Sequence, residues 1–65
     1  RQRRDTPADA GVLYNLACAE SRGGRVEDAI WHLLESIEIE PRFAENARGD
    51  ADFDPIRADA RFPRD

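Results

Sequence analysis

Three acidic residues alternate along Asp50, Asp52 and Asp54, the spacing with which a calcium loop opens. Such a loop needs a glycine at its sixth place, for a sharp turn, and a bidentate glutamate at its twelfth. Here those places hold Pro55 and Arg61, so the loop is broken twice. The aspartates read as helix caps and solvated surface, and we expect no metal. Cys18 and His32 are the second pair with chemical capability, a thiol nucleophile and an imidazole base. A working pair also needs an orienting third group, an oxyanion loop and a cleft. No motif supplies the first two, and a chain of 65 residues is too short for the third. Cys18 lies between Ala17 and Ala19, where a small side chain lets helices approach, so packing accounts for it better than catalysis. The sequence carries no catalytic residue and no cofactor motif, and we expect a protein that is not an enzyme.

Residues that could hold a partner are easier to find. Gly11, Asn15, Cys18 and Arg22 recur at i, i+4, i+7 and i+11, which puts them on one face of a helix. An arginine on that face can donate a charge-assisted hydrogen bond to an acidic group. Trp31 is a second candidate. It stands off the apolar stripe of its own helix, next to His32, and is expected to pack under a third helix or the tail. Its alternative role is an exposed aromatic anchor for a partner or a twin chain.

The elements that carry these residues follow from local signals. Arg1 to Asp5 holds three arginines and no apolar residue and reads as a linker or frayed end. Thr6-Pro7-Ala8-Asp9 is a helix start: Thr6 caps, Pro7 suits the first position because its missing N–H has no partner there, and Asp9 bonds back. The first helix then runs to about Arg22, where Gly23 and Gly24 supply the positive φ that ends it. A second helix spans about Val26 to Ile39, with Glu27 and Asp28 at the positive end of its dipole. Its apolar stripe is Val26, Ile30, Leu33 and Ile37, with Ala29 beside it. Pro41 opens a short third helix, about Arg42 to Arg48, with Phe43, Ala44 and Ala47 on one side and Gly49 at its end. The remaining tail is too polar for a long helix, yet Phe53, Ile56 and Phe62 should leave water, and Asp54 and Asp59 can each cap a turn. The expected fold is all-α: a linker over residues 1–5, a helical hairpin over 6–40, and a capping helix with a folded-back tail over 41–65.

The hairpin resembles the tetratricopeptide repeat, a helix-turn-helix unit with a period of about 34 residues. The likeness covers Ala10 to Pro41. Leu13 and Leu16 take the large apolar places of the first helix, Ala17 the small place, Gly24 the turn, Ala29 the small place of the second helix, Leu33 its large place and Pro41 the closing proline. Glu20 and Ser36 depart from the pattern, where an aromatic and an alanine are common. The segment from Gly49 to Phe62 is similar to the tail that ends many bacterial arrays of this kind. The resemblance implies the terminal unit of an array, a scaffold that binds a peptide or a neighbouring domain. It also implies that the face of Gly11, Asn15, Cys18 and Arg22 lines a concave groove, with Asn15 where some members bind a peptide backbone or carboxylate. The clamp lysines of carboxylate-binding members have no counterpart, because the chain contains ten arginines and no lysine.

Composition narrows the partners. A net charge of −4 suits a protein partner and argues against nucleic acid, whose phosphates need a basic face. No apolar run approaches the roughly 20 residues of a membrane span, and no signal-peptide core follows Arg1, so the expected compartment is the cytoplasm. With no Met, the chain is expected to continue upstream of Arg1. A small domain buries only about 60% of the surface of its extended chain, and one cysteine cannot form an internal disulfide. A lone hairpin should therefore cover its open face with a neighbouring repeat, a partner, or a second copy of itself as a homo-oligomer.

Overall fold

The computed structural model describes residues 7–63, with side chains from residue 10 onward. The linker over Arg1 to Asp5, the Thr6 cap and the side chain of Asp9 lie outside the described residues. Helix α1 spans Pro7–Arg22, α2 Val26–Ile39 and α3 Arg42–Arg48, followed by a 3₁₀ helix over Ala51–Ile56. The described residues contain no strand, and the chain is all-α.

The turn after α1 is built by backbone bonding. The Gly24 N–H donates to the Ser21 carbonyl at 3.1 Å and the Arg25 N–H reaches back to Glu20 at 2.8 Å, the paired closure that satisfies the last carbonyls of a helix. This closure requires one residue with positive φ. Gly24 supplies it at 82°, and Gly23, expected to share that role, is not in the positive-φ region. At the other end of α2, the Glu40 N–H closes the helix on Ser36 and Pro41 serves as N-cap of α3.

The two long helices pack as an antiparallel hairpin whose crossing is lined by small residues. Ala17, Ser21, Ala29 and Ser36 are each fully buried. A buried hydroxyl must find a partner. Ser36 Oγ donates to the Leu33 carbonyl and Ser21 Oγ to the Asp52 carbonyl, both at 2.7 Å. Into one side of the hairpin the tail inserts Phe53, Ile56 and Phe62, each at most 4% exposed, against Ile30, Leu33 and Ala47. Tyr14 meets Phe53 edge-on with centroids 5.3 Å apart, and Phe43 and Phe62 extend the aromatic row. Arg57 fastens the tail's entry by donating to the carbonyls of Arg48 and Asp50 while its guanidinium lies over Phe62.

Because the tail takes its place along Tyr14, Cys18 and Ser21, α1 is rotated relative to the expected core stripe. Leu16 is 41% exposed and Leu13 only partly buried. Trp31 is also displaced from expectation: it is 64% exposed and lies under neither α3 nor the tail. The apolar tail residues fill the cleft between α1 and α2, which leaves the outer side of α2 uncovered.

Candidate functional site

The four residues expected to share a binding face do share one side of α1, but that side is divided. Cys18 is 7% exposed and buried under the tail, so it cannot line an open groove. Arg22 is exposed yet already bonds Asp52 at 2.9 Å. Asn15 is exposed and Gly11 half-buried. The physical reason is that the tail's aromatic residues need a long groove, and this side of α1 forms one wall of it.

Beneath the tail lies a polar cluster that the sequence had not linked. Asp50 Oδ2 accepts from the Tyr14 hydroxyl at 2.9 Å and faces Cys18 Sγ at 4.0 Å, while its Oδ1 caps the 3₁₀ helix by accepting from the Asp52 N–H at 3.0 Å. Burial, reinforced by the hydrogen bond to Asp50, raises the Tyr14 phenol well above its ordinary value. Burial, with the nearby carboxylates of Asp50 and Asp52, pushes the Cys18 thiol up to about 11. A thiol held protonated at neutral pH is a poor nucleophile and a poor metal ligand. Ligand atoms of Cys18, Asp50 and Asp52 lie within 4.8 Å of one another. Their oxygens are engaged by Tyr14, the Asp52 N–H and Arg22, so the cluster works as a clasp between α1 and the tail. Of the alternating aspartates, Asp54 pairs with Arg57.

His32 is not brought to Cys18. Its Nδ1 lies 2.7 Å from Glu20 Oε1, and Glu20 stands two residues from Cys18, hence on the opposite side of α1. Glu20, whose side chain is 11% exposed, thus uses the place where an aromatic was expected to make a polar link between the helices.

Among the described residues, two surfaces remain open. The first is the side of the hairpin away from the tail. Val12, Leu16 and Glu20 stand one turn apart on α1, and Glu20 joins this row to His32 of α2, with Ile39 two turns further on. Val12 is 64% exposed and Ile39 39%. The second is the outer side of α2, where Trp31, Leu34, Glu35 and Glu38 line a shallow groove of about 380 Å³. At its edge Arg61 spans from the tail to Glu27, donating at 2.6 and 3.1 Å, and these bonds hold the Glu27 carboxyl below its ordinary value. The sequence flagged Trp31 but missed Val12 and Ile39, whose exposure depends on which side the tail chooses.

Among the described residues, no helix is long and apolar enough to cross a membrane. No family model, curated protein or solved structure matches this chain.

Proposed function

We propose that this chain is a non-enzymatic protein–protein interaction module: the terminal unit of a tetratricopeptide-type array in the cytoplasm of a bacterium. One observation carries the reading. One side of the hairpin is sealed by the chain's own tail, whereas the other leaves Val12, Leu16 and Ile39 in water. A repeat unit buries one face on its neighbour and, at the end of a stack, is capped on the other. The open side takes a neighbouring helical hairpin, whose apolar residues would cover Leu16 and its row. The buried thiol, the engaged aspartates and the separation of Cys18 from His32 support the non-enzymatic reading. A second reading, self-association, rests on the same apolar row meeting its own copy.

The test joins a consensus tetratricopeptide hairpin ahead of Pro7 in the natural register and compares thermal melting with and without Leu16→Glu. The fused neighbour should raise the melting temperature of this unit, and Leu16→Glu should abolish the gain while leaving the unfused chain's stability within about 0.5 kcal/mol, as expected of a surface site. No gain on fusion would overturn the array reading. Sedimentation of the unfused chain across concentrations then decides for self-association if its mass rises and Leu16→Glu reverses the rise.

A further inference from the structure

On α2, Glu27, Trp31, Leu34 and Glu38 recur at i, i+4, i+7 and i+11 and form one stripe along its outer side. Every fully charged residue of this helix is acidic: Glu27, Asp28, Glu35 and Glu38. Trp31 sits in the middle of the stripe, 64% exposed, with Leu34 beside it as the apolar floor of the groove. An indole face bordered by carboxylates attracts a cation twice, through the ring quadrupole and through charge. A guanidinium suits both, because it is planar enough to stack and donates in a fork.

The molecule already uses the charge half of this chemistry at one end of the stripe. Arg61, from the tail, bonds Glu27 one turn before Trp31 through two nitrogens. We propose that the rest of the stripe takes an arginine-bearing peptide segment of a partner protein, with a guanidinium stacked on Trp31, an apolar side chain on Leu34, and a second arginine against Glu38. The stripe and the open row of Val12 and Leu16 lie on different sides of the hairpin. The inference therefore stands apart from the docking of a neighbouring repeat and needs only that the chain binds polypeptides.

Trp31 is the single tryptophan of the chain, so its emission reports directly on the groove. The probe is a short synthetic peptide with a leucine flanked by arginines, compared with versions carrying lysine or glutamate instead. The arginine peptide should change Trp31 emission saturably, the lysine peptide should bind more weakly, and the glutamate peptide should give no response. Glu38→Arg, at an exposed position, should weaken the arginine peptide about tenfold, in keeping with loss of one charge-assisted contact. Leu16→Glu should leave the titration unchanged, which separates this surface from the docking of a repeat. A flat titration with the arginine peptide, or binding indifferent to Glu38→Arg, would overturn the assignment.

Discussion

Replacing Tyr14 by Phe removes one hydroxyl and little else, which makes it the sharpest probe of how the tail is held. The ring contacts to Phe43 and Phe53, at 4.8 and 5.3 Å between centroids, survive the change. What disappears is the 2.9 Å bond to Asp50 Oδ2. A hydrogen bond to a charged acceptor contributes about 1.5–3 kcal/mol, and Asp50 would keep only its cap on the Asp52 N–H and the long contact to Cys18. Stability of about 0.05–0.15 kcal/mol per residue gives roughly 3–10 kcal/mol for a chain of this length, so the loss is a large fraction of the whole. It should appear as a drop in melting temperature of about 4–8 °C per kcal/mol, followed by far-UV circular dichroism. Asp50→Asn, which keeps an oxygen to cap the 3₁₀ helix, completes a double-mutant cycle. The coupling between the two positions should exceed 1 kcal/mol, in the range of about 0.5–3 kcal/mol found for contacting pairs. Additive effects, with coupling below about 0.5 kcal/mol, would refute the idea that this bond clasps the tail to α1.

Three further outcomes follow from the packing. Ala29, fully buried at the crossing with Ala17, has no room for more atoms, so Ala29→Leu should destabilise by about 1–3 kcal/mol; a melting curve matching the parent would mean the helices do not cross there. Gly24→Ala places a Cβ at a φ of 82° and should lose about 1–2 kcal/mol in urea unfolding although nothing lies within 4 Å of the new carbon, so an unchanged midpoint would deny the left-handed turn. Cys18 and Tyr14 both have folded pKa values above their ordinary ones; the Cys18 contribution to stability is complete below about pH 9 and lost as pH rises through about 11, and that of Tyr14, whose ordinary value is 10.0, is lost at still higher pH. Stability should thus hold level around neutral pH and fall on the alkaline side, and a fall that begins below pH 8 would have another cause.

The boundaries of the helices were legible because each rests on local chemistry. Gly24 is the residue that can close α1, Val26–Ile39 repeats its apolar residues at helical spacing, and Pro41 and Gly49 bracket a helix too short to misread. The phase of α1 was not legible. Its apolar residues, among them Ala10, Val12, Leu13, Tyr14, Leu16, Ala17, Cys18 and Ala19, surround the helix on nearly every side, so periodicity could not choose a core face. The choice is made from far along the chain, by Phe53 meeting Tyr14 edge-on with Phe62 behind it, and by Asp50 bonding the Tyr14 hydroxyl. The same long-range contact moved Cys18 from a groove to the interior and set Leu16 outside. Asp50 could be read as one of several capping aspartates, but nothing local links it to a tyrosine 36 residues earlier. Trp31 was noticed because it stands off its stripe, and its exposure was settled by where the tail does not go.

Thiol reactivity tests the central claim, a hairpin sealed on one side by its tail and open on the other, with one reagent. Cys18 is the chain's only cysteine, so the parent reports on the sealed side, and Leu16→Cys in a Cys18→Ala background reports on the open side. Near neutral pH, the Cys18 thiol pushed up to about 11 has a thiolate fraction about 100-fold below that of a thiol at 9, and burial slows it further. An aromatic disulfide reagent should modify the Leu16→Cys protein at least about 100-fold faster than the parent, and unfolding in urea should bring the two rates together. Equal rates in the folded proteins would contradict it, because the tail would then not cover Cys18.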